Sequence, residues 1–254
     1  MRPNKLMGQH FLSSRRALGI ILETARPTKK DIVLEVGPGT GILTRELGTR
    51  AHRVIAVEKD SRLVEYLAQE YKAKKNVDIV EGDILQIPKK ALKLKDNGFI
   101  VVANIPYYLT SRFLRIYLEG APRPRSMTLM IQHEVVRRIT ARPPDMNLLA
   151  LSVQAFGTPS YIAKIPRGAF HPAPRVDSAI IHIADINDSF FKKNNILPKT
   201  FFKITKKAFS QKRKMLKRSI GADSQKRPEE LSLGEWVKII KSRQKFARGV
   251  EDYA

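Results

Sequence analysis

The run Ile32-Val33-Leu34-Glu35-Val36-Gly37-Pro38-Gly39-Thr40-Gly41 constrains the fold more than any other part of the chain. Its apolar half reads as a strand buried on both faces, the signature of a parallel sheet. The three glycines let the backbone turn tightly and come close to a ligand, where a Cβ would collide. Leu43 and Leu47 then open a helix. Strand, glycine loop and helix form the nucleoside-binding corner of α/β proteins, at the carboxyl end of the sheet. The glycines stand at 37, 39 and 41, and Ile42 occupies the place where G-x-G-x-x-G requires the third. That spacing argues against a dinucleotide and toward S-adenosylmethionine (SAM), which has no pyrophosphate to seat on a helix end.

Two acids follow in the order such a site needs. Glu58, 21 residues after Gly37, ends the run Val54-Ile55-Ala56-Val57 and is placed to accept from both ribose hydroxyls. Asp83 follows the strand Val77-Asp78-Ile79-Val80 and is placed to accept from an adenine amino group. Gly37, Gly39, Gly41, Glu58 and Asp83 are therefore cofactor-site candidates.

The segment Val101-Val102-Ala103-Asn104-Ile105-Pro106-Tyr107 names a chemistry. An exocyclic amine on adenine is a poor nucleophile because its lone pair is conjugated with the ring. Two acceptors facing its hydrogens turn that lone pair toward an electrophile. Asn104 Oδ1 and the carbonyl of Ile105 or Pro106 can serve, with Pro106 stiffening the backbone. Tyr107 offers a ring on which an extruded base stacks. Positioning dominates such a transfer, and no strong base is required.

Candidate strands cover 32–36, 53–58, 77–81, 98–103, 126–131, 160–165 and 177–184, and candidate helices cover 14–25, 42–50, 61–72, 111–119, 133–140 and 147–156. The alternation implies a mostly parallel, Rossmann-like sheet covered on both faces. The connection from Pro166 to Pro174 is too short for a helical crossover, so the last strand should run antiparallel. Residues 185–198 read as a linker. The expected organisation is a catalytic domain over 1–185 and a small, all-helical, basic domain over 196–254. In the latter, Ser232 and Glu235 have capping-box spacing.

Lys and Arg number 47 against 24 Asp and Glu, a formal net charge of +23, which favours a polyanionic partner. Between Asp188 and Asp223 there are eleven basic residues and no acid. Lys206, Lys207, Lys212, Arg213, Lys214, Lys217 and Arg218 are the candidate polyanion-binding set within that stretch, while Phe202, Phe209, Leu216 and Ile220 recur at core spacing. The chain has no cysteine, which excludes disulfides and thiolate chemistry, and its five histidines lack ligand spacing, so no metal is expected. No apolar run approaches a bilayer span and the N-terminus lacks a signal-peptide core, so a cytoplasmic protein is expected, with no membrane partner.

These motifs together resemble the small-subunit ribosomal-RNA adenine N6-dimethyltransferase family. The resemblance covers roughly residues 5 to 220. It also rests on Gly8-Gln9-His10-Phe11-Leu12, Gln132-His133-Glu134-Val135-Val136-Arg137-Arg138, Phe170-His171-Pro172-Ala173-Pro174-Arg175-Val176-Asp177-Ser178-Ala179 and Phe209-Ser210-Gln211-Lys212-Arg213-Lys214. It implies a SAM-dependent enzyme that dimethylates two adjacent adenines in the 3′-terminal hairpin of small-subunit rRNA, within an assembling subunit. His10, Leu12 and Asn104 would join the cofactor set, and Phe170 would meet the target base opposite Tyr107. A monomer is the simplest state. The segment Pro143 to Leu149 departs from the family's pattern in having neither Tyr nor Gly. Two other readings are a large-subunit rRNA methyltransferase of the macrolide-resistance type and a non-catalytic RNA-binding assembly factor.

Overall fold

The computed structural model describes residue 3, residues 8–211 and residues 214–251. In chain order the elements are β1 (Phe11–Leu12), α1 (Arg15–Ala25), β2 (Ile32–Val36), α2 (Ile42–Arg50), β3 (Arg53–Glu58), α3 (Ser61–Glu70), β4 (Val77–Glu81), β5 (Phe99–Asn104), α4 (Thr110–Glu119), β6 (Ser126–Gln132), α5 (His133–Ile139), α6 (Leu148–Gln154), β7 (Thr158–Ile165), β8 (Phe170–His171), β9 (Ser178–Ala184), α7 (Ser189–Asn194), α8 (Pro198–Phe209), α9 (Leu216–Ser219) and α10 (Leu233–Glu251).

Seven strands form one sheet in the order β4-β3-β2-β5-β6-β9-β7. The pairs from β4 through β6 are parallel, and β9 runs antiparallel to both β6 and β7. Val33, Leu34, Ile55, Val101 and Val102 are sealed from solvent, as expected of strands covered on both faces. Helix α1 is capped by Ser14, whose Oγ accepts from the Ala17 N–H at 3.2 Å, and it buries Ala17, Leu18, Ile21 and Leu22 on one stripe. The chain moves outward from β2 to β4, returns to β5 beside β2, and then moves the other way. The order of strands reverses between β2 and β5, and at such a point ligands bind outside the strands' carboxyl ends. Gly37 follows β2 and Asn104 ends β5.

The chain divides into two compact units. One comprises the described residues of Met1–Arg137 and Thr158–Asn187; the other comprises those of Arg138–Gly157 and Asp188–Ala254. Residues 138–157, expected in the first domain, thus pack with the C-terminal helices. Phe156 shows why, with its ring centroid 5.0 Å from that of Phe191 and 6.2 Å from that of Phe202. In the divergent segment, Met146 is buried and its N–H donates to the Glu229 carbonyl at 3.0 Å. Asn147 caps α6 through the Ala150 N–H at 3.0 Å. The expected linker 185–198 also holds a helix, α7, whose one buried side chain is Phe191. Pro198 starts α8 rather than ending a linker, because its missing N–H costs nothing at a first helical turn. Ser232 and Glu235 form the expected reciprocal cap, with Ser232 N to Glu235 Oε2 at 2.9 Å and Glu235 N to Ser232 Oγ at 3.3 Å.

Candidate active site

A cleft with about 1050 Å³ of empty space, open mouth included, lies at the strand-order reversal. Its walls bring together His10, Leu12, Gly37, Gly39, Glu58, Asp83, Asn104, Ile105, Pro106, Tyr107 and Phe170. Residues from separate stretches of chain thus converge, although no two stretches are adjacent in sequence.

The glycine loop is built for closeness to protein as much as to ligand. Gly37, Gly39 and Gly41 have φ of 66°, 59° and 80°, a region that disfavours any residue with a Cβ. A Cβ on Gly39 would stand 3.1 Å from the Phe11 ring, and one on Gly37 would stand 3.3 Å from Pro106 Cδ. Gly41 does not line the cleft. A Cβ there would stand 2.8 Å from Leu67 Cδ2 and 3.1 Å from the Tyr71 hydroxyl, so its smallness serves the packing of α2 on α3. That corrects the expectation that all three glycines admit a ligand.

Glu58 is buried and accepts three backbone N–H groups: Gly39 to Oε2 at 3.2 Å, Lys59 to Oε1 at 2.8 Å and Asp60 to Oε1 at 3.0 Å. Burial nonetheless pushes its carboxyl above the ordinary range, against those hydrogen bonds. Asp83 Oδ1 accepts from the Leu85 N–H at 3.0 Å and Oδ2 from Lys59 Nζ at 3.1 Å. Burial opposes ionisation of Asp83, but these two partners outweigh it and hold its carboxyl below the usual value.

Asn104 has no hydrogen bond to its side-chain amide among the described residues, so the amide is free to meet a substrate at the cleft wall. The Pro106 carbonyl accepts from the Leu109 N–H at 3.0 Å, closing the turn Tyr107–Leu109. Tyr107 Oη lies 2.9 Å from Ser178 Oγ, which is fully buried at the start of β9. Burial raises the Tyr107 phenol above its normal value, the Ser178 hydrogen bond opposes it, and nearby Asp177 adds to it.

The segment before α1 is pinned across the cleft. Phe11 and Leu12 pair with His171 and Phe170 as β1 and β8. Gln9 Nε2 donates to Asp60 Oδ2 at 2.9 Å. His10 Nδ1 lies 2.8 Å from the Pro172 carbonyl, so it carries the hydrogen, and the imidazole stacks near Tyr107 with ring centroids 6.3 Å apart. Phe170 lines the cleft yet is 5% exposed and packs in one cluster with Leu12, Leu18 and Ile180.

Two residues of the cleft and one support behind it had no role assigned to them from sequence. Glu35 lines the cleft at 1% exposure. Burial pushes its carboxyl up to about 8; Thr44 favours the charged form and Glu58 disfavours it. Neither Glu35 Oε2 nor the Thr44 hydroxyl has a well-formed hydrogen bond among the described residues, so burial dominates. Lys59 and Ser178 also went unseen. An acid inside an apolar strand run was the available signal for Glu35; Ser178 lay in the segment Phe170 to Ala179 without a role read for it, and nothing local marked Lys59.

Of the candidate RNA-binding residues, Lys212 and Arg213 lie outside the described residues. Lys206, Lys207, Lys214, Lys217 and Arg218 are exposed, and no ion pair engages them among the described residues. Phe202, Leu216 and Ile220 are buried beneath them, and the Phe209 ring meets that of Trp236 at a tilt, with centroids 6.1 Å apart. Among the described residues no group of His, Asp or Glu is arranged to hold a metal ion, and no helix is long and apolar enough to cross a membrane.

The sequence profile of the ribosomal RNA adenine dimethylase family matches residues 1–241. The chain belongs to this family. Its members are SAM-dependent methyltransferases that dimethylate rRNA adenine, and this chain is an enzyme of that class. It is 38% identical to the ribosomal RNA small subunit methyltransferase A of Dehalococcoides mccartyi strain CBDB1, over 94% of this chain and 88% of that one. It is 34% identical to the protein of that name from Chlorobium phaeobacteroides, over 93% and 89%. Among solved structures, a dimethyladenosine transferase from Plasmodium falciparum superposes with a TM-score of 0.81 at 24% identity, covering 93% of this chain and 98% of that one. The 23S rRNA methyltransferase ErmE superposes with a TM-score of 0.69 at 26% identity, covering 91% and 98%.

Proposed function

We propose that this enzyme uses SAM to dimethylate N6 of two adjacent adenines in the 3′-terminal hairpin of small-subunit rRNA, during assembly of the subunit. The observation that carries the reading is the unpaired Asn104 amide, held in the same cleft as Gly37, Glu58 and Asp83. The lining suits the cofactor: the buried Glu35 Oε2 lacks a partner among the described residues, and Glu58 and Asp83 line the same cleft. Gly37, Gly39, Glu58 and Asp83 would hold the nucleoside, with the backbone of His10 and Leu12 beside them. When bound, SAM supplies a methyl group on a sulfonium, a good leaving group.

Asn104 Oδ1 accepts from one hydrogen of the target amine. The Ile105 carbonyl is the better second acceptor, because that of Pro106 already receives the Leu109 N–H. Tyr107, steadied by Ser178, carries the base on its ring, and Phe170 closes the other side. The basic faces of α8 and α9, with Lys206, Lys207, Lys214, Lys217 and Arg218, hold rRNA phosphates, together with Lys212 and Arg213. A large-subunit substrate is disfavoured, since identity to ErmE is 26% against 38% for the small-subunit relative. A purely structural role does not account for the free Asn104 amide.

The test supplies labelled SAM with small-subunit rRNA, unmodified small-subunit particles and large-subunit rRNA. Label on two adjacent adenines of the small-subunit hairpin is expected. Label on large-subunit rRNA alone, or SAM binding without transfer to any RNA, overturns the reading.

A further inference from the structure

A second cleft, which shares no lining residue with the first, is walled by Gln132, His133, Glu134, Arg167, Arg175 and Asp177, together with the exposed Val176. Asp177 ties these walls together. Its Oδ1 accepts from the Arg167 N–H at 2.9 Å, its Oδ2 pairs with Lys164 Nζ at 2.9 Å, and its backbone carbonyl accepts from the His133 N–H at 3.0 Å. Lys164 pairs with the Asp177 charge, and the nearby Arg167 charge also helps to hold that carboxyl below its ordinary value. The guanidinium groups of Arg167 and Arg175 are exposed, and neither has a hydrogen bond or ion pair among the described residues. Two guanidinium forks free of hydrogen bonds on one concavity match the oxygens of a phosphodiester.

An aromatic platform adjoins them. The His133 ring meets the Tyr161 ring edge-on with centroids 5.8 Å apart, and Tyr161 is 40% exposed. Charge beside an exposed ring is the pattern that binds a single nucleic-acid strand. The residue after Asp177 is Ser178, whose Oγ lies 2.9 Å from the hydroxyl of Tyr107, a residue that lines the first cleft, so a single hydrogen bond links the linings of the two. Glu134, a carboxylate at the rim, keeps the net charge modest. That suits a polymer already held by a basic surface better than a free small anion.

We propose that this second cleft grips the phosphodiester next to the target adenosine, with Arg167 and Arg175 as its clamp and Tyr161 as a stacking surface for the neighbouring base. The proposal rests on the rRNA reading above. It supplies what that reading lacks: a hold on the strand at the point where the target nucleotide leaves it.

The test compares wild type with Arg167→Gln/Arg175→Gln and with each single variant. Unchanged SAM affinity certifies the fold of each. For the double variant, RNA affinity should fall roughly tenfold or more, and the salt slope by roughly 0.7 for each phosphate no longer neutralised. An RNA carrying a neutral methylphosphonate at a linkage flanking the target adenine should bind wild type more weakly and leave the double variant indifferent. Wild-type RNA affinity and slope in the double variant, or equal methylphosphonate penalties in both proteins, overturns the clamp. So does preferential loss of binding to a protein of the subunit, with RNA binding intact. Failure of the substrate reading shows in the wild type, which would then methylate no small-subunit adenine. Failure of the clamp shows only in the comparison between proteins.

Discussion

Asn104 ends a strand whose every other residue is buried, and its amide is the polar group the strand delivers to the cleft. Asn104→Ala should leave SAM affinity nearly intact while lowering the methylation rate by about a hundredfold, the usual scale for losing one preorganised partner of a reacting group. Undiminished turnover would remove Asn104 from the chemistry. Glu35 makes a different prediction. Its carboxyl sits near 8 in the folded chain against an ordinary value of 4.5, so the native state holds its proton longer than the unfolded state does. Stability from this group is full below about 4.5 and drains away as pH rises toward 8. Urea unfolding followed from pH 5 to 8 should show that decline in wild type and a flatter profile in Glu35→Gln; parallel profiles would mean Glu35 is not buried as described. At this scale sequence was a good guide to residues that end strands and a poor one to their supports. Asn104, Glu58 and Asp83 announce themselves by ending or following apolar runs. Ser178 and Lys59 matter only through partners 71 and 24 residues away, at Tyr107 and Asp83.

Among the elements, α2 and α3 depend on Gly41. Its φ of 80° and the 2.8 Å approach a Cβ would make to Leu67 combine backbone strain with overpacking. Gly41→Ala should therefore cost about 1–3 kcal/mol in chemical denaturation. A neutral result would show that the helix pair can slide apart to make room. Helices α8 and α9 raise an electrostatic question. Lys206→Glu, Lys207→Glu and Lys217→Glu together should weaken rRNA binding and flatten its salt dependence, by roughly 0.7–0.9 in slope for each phosphate set free, with SAM affinity unmoved. An unaltered slope would assign the phosphates elsewhere. The parallel strands were legible nearly to the residue: β2, β3 and β4 fall at 32–36, 53–58 and 77–81 as read, because full burial writes continuous apolar runs. The two-residue strands β1 and β8 carry no periodicity to read. Helix α7 was hidden by its polar composition, since the packing of Phe191 rather than propensity holds it.

For the whole molecule, the chain passes between the two units at residues 137–138, 157–158 and 187–188. The stretch 138–157 belongs with the C-terminal helices, yet β7 and β9 of the sheet come after it. Ending the chain after Asn187 would leave Ala150, Leu151 and Val153 of α6 without the helix α8 that packs against it. That fragment should lose solubility and bind a hydrophobic dye, whereas a soluble, SAM-binding fragment would show that 138–157 can settle without its partner. The same threading governs how such a protein can be recombined. A tail with another RNA preference cannot be exchanged at a single splice point. A working chimera must exchange two stretches at once, residues 138–157 together with those from 188 onward.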